Sequence, residues 1–322
     1  WLAGGGTATV WKEIRKGNKS VLVISNAHSF PETDALKKAE TALANLQTAD
    51  ISLLRQAHRD WWHNYYPQSF VSLPDKKMEN FYWVQIYKLA SATRIGGGLL
   101  DNSGPWQVLT PWPNTWWNLN AQLSYWPVYA SNRLELGMPL VDVVKNNFDN
   151  LIHNVPEAYR KDAAALPVCT DFNLIGVDIR VPGSRKFAQV GNLPWLCHNL
   201  WLQYRYSMDE TILRNTIFPT LKRAINFYIP FLEKDEQGIL HLKETYSPEY
   251  GSAKDCNYDI ALLRWGCQTL LKASQILSIK DNLIPKWQEI IEKLTDYPQD
   301  ENGMMIGKDM PFSKSHRHYS HL

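Results

Sequence analysis

Residues Trp116–Pro127 read WWNLNAQLSYWP, and the rest of the chain is organised around this stretch. Two tryptophans precede two asparagines that lie one residue apart, and a glutamine, a tyrosine and a third tryptophan follow. Aromatic faces stack on the C–H faces of sugar rings, while amide side chains both donate hydrogen bonds to hydroxyls and accept them. The stretch is therefore typical of a carbohydrate platform. The alternative is the start of a core helix whose polar groups are satisfied locally.

The composition excludes several classes of protein. The chain has 322 residues and a formal net charge of +2, which gives no reason to expect nucleic acid or an anionic membrane as a partner. Its apolar runs are far shorter than a membrane-spanning helix, and its mean hydropathy is -0.36. The chain contains 14 tryptophans and 15 tyrosines, and so many rings set among Asn, Gln and His favour a carbohydrate cleft.

The cysteines and the chain ends bear on the cellular compartment. The four cysteines show neither a Cys-x-x-Cys pair nor a regular framework, which predicts buried free thiols. No signal peptide is visible, and the abrupt ends predict a fragment of a longer protein. A missing signal therefore says little about where the protein acts.

Hydrophobic periodicity predicts a mainly helical chain after a short β segment. Residues 1–30 contain two strand patterns around a Lys-Gly-Asn turn, which cannot form a stable domain alone. Helical spacing follows from Pro31 onwards, with a small hairpin at 235–242 and a strand-like segment at 175–181. The longer helices of the remaining chain are predicted at 78–94, 118–136, 140–155, 193–206, 210–232, 259–277 and 282–294.

Long loops rich in Trp, Pro and Asn join these helices. Such loops in a compact domain are usually functional. Helical hairpins arranged in a ring, with the loops gathered at one end, fit the pattern better than a four-helix bundle. A helical solenoid would show a repeat period, and the sequence shows none.

A second stretch, Glu244–Gly251, carries a candidate general acid. Glu249 follows Ser-Pro, so it is expected in a loop. Burial among Tyr246, Tyr250 and their neighbours would raise the pKa of Glu249, as a general acid requires. An ordinary solvated loop glutamate is the alternative.

A third stretch, Ser315–His321, places three histidines within a short segment. Zinc is disfavoured because no cysteine or acidic residue lies at ligand spacing nearby. Hydrogen bonding to a polyhydroxylated ligand, or ordering of a loop, is expected instead. The sequence predicts neither a metal nor a cofactor.

Together, and in this order, the three stretches resemble glycoside hydrolase family 95, the inverting α-L-fucosidases and their α-L-galactosidase relatives. Asn118–Pro127 is similar to the family's Asn-x-Asn-x-(Glu/Gln)-Met-Asn-Tyr-Trp-Pro. Ser247–Glu249 resembles its Ser-Pro-Glu, and His316–Leu322 matches its His-Arg-His-x-Ser-His-Leu. The similarity extends from about Val21 to Leu322.

This resemblance implies a mainly α fold, an (α/α)6 six-hairpin toroid whose completeness in this chain is left open. A short N-terminal β remnant and a helical linker would precede the toroid. Residues 1–30 would end a β-rich domain, residues 31–66 would form the linker, and residues 67–322 would form the catalytic barrel without its C-terminal part.

The resemblance also implies inverting exo-hydrolysis of terminal α-L-fucosyl-type linkages. Glu249 would be the general acid, and Asn118 and Asn120 would hold the attacking water. Amides are poor bases, so an aspartate must polarise them. In the family that aspartate follows the His-Arg-His segment, and no residue here matches it. Inverting enzymes separate the two catalytic groups by roughly 6.5–9.5 Å.

Sugar contacts are expected from the aromatic, amide and histidine side chains of the three stretches and of the helix around residue 195. The candidates are Trp112, Trp117, Gln122, Trp126, Trp195, His198, Tyr250, His316 and His318. Two departures leave the identity of the sugar open: Ser124 replaces an asparagine, and Asn199 stands where the family has histidine, with His198 one place early.

Two other functions remain as alternatives. An α-L-galactosidase would differ by one hydroxyl on the terminal carbon of the sugar, and a carbohydrate-binding protein would keep the cleft without catalysis. A structural helical scaffold is disfavoured by the many loop aromatics. The expected partner is an oligosaccharide or polysaccharide glycan, with no nucleic acid and no membrane span. The resemblance implies a periplasmic or extracellular location and leaves the oligomeric state open.

Overall fold

The computed structural model describes residues 5–30, 32–46, 51–100, 102, 104, 112, 114–177, 179–184 and 187–313. The chain divides into two compact units, Trp1–Phe70 and Val71–Leu322. The strands and first helices thus belong to one unit. The separate β-rich domain at 1–30 and linker at 31–66 stay predictions, as does the boundary at residue 67.

The smaller unit is a β-hairpin with helices after it. The elements are β1 (Gly6–Lys16), β2 (Lys19–Ser29), α1 (Ala35–Leu46) and α2 (Ile51–Tyr65), followed by a 3-10 turn at Tyr66–Gln68. The two strands pair antiparallel, and α1 packs against both of them. The helix buries Ala35, Ala39 and Leu43, whose spacing of four residues places them on one face.

The larger unit is mainly helical, with short β-hairpins between the helices. Its helices are α3 (Lys76–Ala92), α4 (Asn120–Ala130), α5 (Met138–Asn146), α6 (Phe148–His153), α7 (Asn192–Ser207), α8 (Glu210–Ile212), α9 (Phe218–Asn226), α10 (Asn257–Leu277) and α11 (Ile284–Lys293). Its strands are β3 (Thr115–Trp116), β4 (Cys169–Thr170), β5 (Leu232–Lys234), β6 (Leu240–Leu242), β7 (Thr245–Ser247), β8 (Gly251–Ala253), β9 (Gln299–Asp300) and β10 (Gly303–Met304). They pair antiparallel, β3 with β4, β5 with β6, β7 with β8, and β9 with β10.

The predicted helices 193–206, 259–277 and 282–294 correspond to α7, α10 and α11 within a few residues. The predicted helix 210–232 is interrupted by a π-helical turn at Leu213–Ile217 and ends in a 3-10 turn at Ile229–Phe231. The expected hairpin at 235–242 is present as β5 and β6.

Three further predicted elements differ from the structure. The helix expected at 118–136 ends at Ala130, because Asn132 adopts a left-handed φ of 57°. The helix expected at 140–155 is divided at Asn147, whose side-chain amide donates to the Val143 carbonyl at 2.9 Å. Among the described residues of the strand expected at 175–181, one bridge at Gly176 is present, because the Asp171 carboxylate accepts from the backbone of Asn173 and Ile175 and folds a turn.

The core of the larger unit lies around α7, which packs against α4, α9 and α10. This helix is buried on nearly all sides, as is expected of a central helix. The cysteines are free, as predicted, with Cys169 half-buried and the others buried. None of the helices in the described ranges has the length and apolar character needed to cross a bilayer.

Candidate active site

The three predicted catalytic residues line one cavity of about 310 Å³ in the larger unit. The described residues that line it are Asn102, Trp112, Trp116, Asn118, Leu119, Asn120 and Glu249. Ligand pockets in proteins usually span roughly 300–1,000 Å³, so this cavity suits a small ligand. Among these lining residues, amides and indole rings surround a single carboxylate.

The amide wall of the cavity is fixed by a short antiparallel pairing. Trp116 lies opposite Cys169 in the β3–β4 register. The next residue, Trp117, donates its backbone N–H to the Val168 carbonyl at 2.9 Å and its indole N–H to the Thr170 hydroxyl at 2.8 Å. The chain then turns through Asn118 and enters α4 at Asn120. Asn118 is buried and Asn120 exposed, so the two amides reach the cavity from different depths.

Gln122 and Trp117 support this wall from behind. The side-chain amide of Gln122 donates to the carbonyls of Trp117 and, at 3.5 Å, Asn192. The Asn199 amide in turn donates to the Gln122 carbonyl at 2.8 Å. Trp117, Gln122 and Asn199 are almost completely buried. These contacts hold the turn before α4, and neither Trp117 nor Gln122 is among the described residues that line the cavity.

Glu249 lies in the three-residue loop between β7 and β8. The Tyr250 N–H donates to the Ser247 carbonyl at 3.0 Å, and Glu249 has a left-handed φ of 63°. Three-residue hairpin loops commonly contain such a residue, yet a non-glycine side chain there is uncommon and costs energy. Backbone strain of this kind clusters at functional sites, because the surrounding structure must hold it.

The side chain of Glu249 is exposed, which differs from the burial that the sequence interpretation required. The Glu249 carboxylate affects the nearby Tyr246. Burial raises the pKa of the Tyr246 phenol most, and the Glu249 carboxylate raises it further. A hydrogen bond with the Glu249 backbone lowers it. The described residues around Glu249 therefore leave its side chain exposed, and the burial expected from the sequence is not observed among them.

Tyr250 contacts residues 311–313, which come shortly before the histidine-rich stretch Ser315–His321 in the sequence. Its hydroxyl donates to the Pro311 carbonyl at 3.1 Å and accepts from the Ser313 N–H at 2.8 Å. Its ring also stacks on Phe312 at a centroid distance of 5.5 Å. The predicted sugar ligands His316 and His318 lie outside the described residues.

The remaining sugar-binding candidates lie elsewhere in the larger unit. Trp126 is exposed on α4 but does not line the cavity described above. Trp195 and His198 on α7 pack against α10, with ring centroids 5.9 Å from Tyr258 and 5.1 Å from Trp265, respectively. Burial lowers the pKa of His198. The structure therefore does not bring these three side chains together with Glu249 at the cavity wall.

Three lining residues were not predicted from the sequence. Trp116 replaces its neighbour Trp117 at the wall, with its ring edge-to-face against Trp112 at 4.8 Å. The other two described lining residues that were not predicted are Asn102 and Leu119. Asn102 lies in the polar sequence 101–105, DNSGP, but nothing in the sequence connects this segment to Glu249. Over the described ranges, no group of three or more His, Cys, Asp or Glu side chains is arranged to hold a metal.

Comparison with known proteins identifies two curated relatives. The chain is 26% identical over 253 residues to "Alpha-L-fucosidase 2" of Arabidopsis thaliana, covering 73% of this chain and 30% of that protein. It is 27% identical over 141 residues to "Probable alpha-fucosidase A" of Aspergillus niger, covering 42% of this chain and 17% of that protein. The chain thus spans less than a third of the length of either relative.

The fold is similar to that of a solved structure, a "Putative kojibiose phosphorylase from human microbiome". The TM-score is 0.66 at 10% sequence identity, and the match covers 96% of this chain and 47% of that chain. At this identity the likeness concerns the fold alone. It confirms the predicted mainly α fold of the helical-toroid class.

The sequence profile described as "Glycosyl hydrolase family 95 catalytic domain" matches residues 68–322, which is most of the chain. The match includes the whole cavity wall, from Asn102 to Glu249. The chain therefore belongs to glycosyl hydrolase family 95, as its three motifs predicted.

Proposed function

We propose that this chain carries the catalytic site of an inverting exo-glycosidase that removes terminal α-L-fucosyl residues from oligosaccharide or polysaccharide glycans. One observation carries the proposal: Asn118, Asn120 and Glu249, distant in sequence, line the same cavity. Family membership and the names of the two relatives support the choice of sugar. The same family relation supports a periplasmic or extracellular location.

In the proposed reaction, Glu249 donates a proton, while Asn118 and Asn120 hold the attacking water. Glu249, protonated, gives its proton to the glycosidic oxygen as the bond between that oxygen and the anomeric carbon breaks. A water molecule held by the side-chain carbonyls of Asn118 and Asn120 attacks the anomeric carbon from the opposite face, which inverts its configuration. Because amides are poor bases, the proton released by the water needs a carboxylate hydrogen-bonded to these amides, the role that the family resemblance gives to an aspartate with no match in this sequence.

The exposed position of Glu249 is consistent with a general acid whose pKa rises only when the substrate is bound. A sugar in the cavity would exclude water from the carboxyl, and loss of solvation raises the pKa of a carboxyl group. The proton would then be present at neutral pH when the substrate is bound.

Two leaving groups test the acid role of Glu249. An α-L-fucosyl disaccharide needs a proton on its departing oxygen, whereas the fluoride of α-L-fucosyl fluoride leaves without one. Glu249→Gln should therefore lower kcat on the disaccharide by about 100- to 10,000-fold, and lower it far less on the fluoride. The matched control is Glu244→Gln, which alters an exposed glutamate just before β7 and should leave both rates unchanged.

Equal loss on both substrates, or unchanged hydrolysis of the disaccharide, would remove Glu249 from the acid role. Running α-L-galactosides beside the fucosides decides the sugar. Binding of fucosides without turnover by the wild-type protein would favour a carbohydrate-binding function instead.

A further inference from the structure

An aromatic pair lies beside the hairpin that carries Glu249. The ring of Phe187 approaches that of Tyr246 to a centroid distance of 4.7 Å at an interplanar angle of 56°. Phe187 remains 55% exposed despite this contact, and Tyr246 is half-buried. The pair therefore presents apolar ring surface to solvent, and neither ring is among the described residues that line the cavity.

The backbone of Phe187 has an unusual conformation. Its φ of 56° lies in the left-handed region, which is an outlier for a bulky aromatic residue. The chain beside it is hydrogen-bonded to the hairpin: the Tyr246 N–H donates to the Ala188 carbonyl at 3.1 Å. Burial of the ring cannot account for this arrangement, because the ring is exposed. Strained backbone of this kind clusters at active sites and ligand contacts, which makes Phe187 a candidate for contact with a substrate.

The pair adjoins the proposed acid on the outer face of the hairpin. Thr245 and Ser247 on β7 are buried, so the alternation of the strand directs Tyr246 to the opposite face. Tyr246 precedes Glu249 by three residues, and the pKa of its phenol responds both to the Glu249 charge and to the Glu249 backbone. Phe187 thus contacts Tyr246, and Tyr246 interacts with Glu249, which lines the cavity.

The chemistry of hydrolysis indicates which part of the substrate would contact Phe187 and Tyr246. Glu249 must reach the glycosidic oxygen, which joins the cleaved sugar to the departing one. If the cleaved sugar occupies the cavity, the departing group lies on the outer side of Glu249. Exposed aromatic faces bind the C–H faces of pyranose rings.

We infer that Phe187 and Tyr246 form a binding surface for the departing sugar ring, so that the preferred substrates are glycans rather than fucosides of small leaving groups. This inference rests on the proposed function and extends it from the cleaved sugar to the leaving group.

The test compares two substrates in one protein. For the best-cleaved member of a set of α-L-fucosyl-hexose disaccharides and for α-L-fucosyl fluoride, kcat/KM is measured and the ratio of the two values is formed. Phe187→Ala should lower this ratio about 3- to 10-fold relative to wild type, because the fluoride has no sugar ring to stack. Phe187→Tyr, which keeps a ring, should restore it.

The matched control is Phe81→Ala, which removes a similarly exposed phenylalanine on α3 and should leave both constants unchanged. An unchanged ratio in Phe187→Ala, or an equal loss on both substrates, overturns the inference while leaving the proposed function intact. Failure of the wild-type protein to cleave either substrate sinks the proposed function, and this inference with it.

Discussion

One exposed carboxylate and one buried carboxylate lie near the hairpin of β7 and β8. Glu249 is exposed at its tip, whereas Asp259, in the first turn of α10, is completely buried. The Tyr228 hydroxyl donates to Asp259 at 2.7 Å, and burial raises the pKa of Asp259 to about 7. Its neighbours Tyr228, Tyr258 and Cys256 have pKa values raised by burial, so they stay neutral at physiological pH.

Asp259 should make the fold less stable as the pH rises. Its pKa is about 7 in the folded chain, whereas an unperturbed aspartate has a pKa of 3.8, so between these values the folded state holds a proton that the unfolded state has lost. Stability falls through this window and is level above it. Asp259→Asn keeps an acceptor for Tyr228 and cannot ionise.

From pH 5 to pH 8 the free energy of unfolding of the wild type should therefore fall by about 2–3 kcal/mol relative to Asp259→Asn. Urea titrations at both pH values measure this difference. Asp296→Asn, at a position outside the buried core, is the control and should follow the wild type. Parallel pH profiles for wild type and Asp259→Asn would show that Asp259 does not titrate in this range.

Asn120 is the more accessible of the two proposed water-binding amides. Asn120→Ala retains a good helix former at the start of α4 and removes the amide that is proposed to hold the water. We expect kcat on a fucosyl disaccharide to fall about 100-fold or more, with thermal stability nearly unchanged. Steady-state kinetics and a melting curve check this together. Asn302→Ala, in the exposed turn between β9 and β10, is the comparison, and a similar small loss in both variants would exclude Asn120 from the reaction.

At the scale of elements, the hairpin of β7 and β8 is held from several sides. The Cys256 thiol donates towards the Thr245 and Ala253 carbonyls at 3.3 and 3.4 Å. Tyr250 connects the loop of the hairpin to the segment 311–313. The proposed general acid is thus placed by a hairpin that is hydrogen-bonded to its neighbours, and such support favours a precise geometry for proton transfer.

Tyr250→Phe tests the connection between the hairpin and this segment. The change removes both hydrogen bonds of the hydroxyl and preserves the stacking on Phe312. Amide exchange at Ser313 should become faster, with a loss of about 1 kcal/mol in stability. Hydrogen-exchange mass spectrometry of this segment measures the effect against Tyr206→Phe, at an exposed position. Unchanged exchange at Ser313 would mean that other contacts fix the segment.

The packing of α9 against α10 depends on a glycine. A Cβ added at Gly266 would lie 2.3 Å from the Cδ1 atom of Ile225, which is completely buried. Gly266→Ala should destabilise the fold by about 1–3 kcal/mol, although alanine is the better helix former by about 1 kcal/mol. Thermal or urea unfolding checks this. Gly98→Ala, where a Cβ meets nothing within 4 Å, should be neutral, and a stabilised Gly266→Ala would show that the helices can separate freely.

For the whole molecule, the sequence predicted the elements that are long and periodic. α7, α10 and α11 were found because their apolar residues recur at helical spacing over several turns. The short pairings β3–β4 and β7–β8 were not predicted, because each strand has only two or three residues and its partner is set by tertiary contacts.

The sequence likewise predicted some features of the candidate site and not others. The motifs identified Asn118, Asn120 and Glu249, which share a cavity. They favoured Trp117 as a sugar contact, whereas Trp116 lines the cavity, because which ring faces the cavity depends on the register with β4. Nor could they show that Glu249 is exposed, since burial depends on residues distant in the chain.

We propose that Glu249 and the two asparagines act on opposite faces of an α-L-fucosyl bond. Proton NMR of the sugar released by the full-length protein, recorded before mutarotation, reports the configuration of the first product. We expect β-L-fucose to appear first and α-L-fucose to follow as the anomers equilibrate. Release of α-L-fucose as the first product would contradict it.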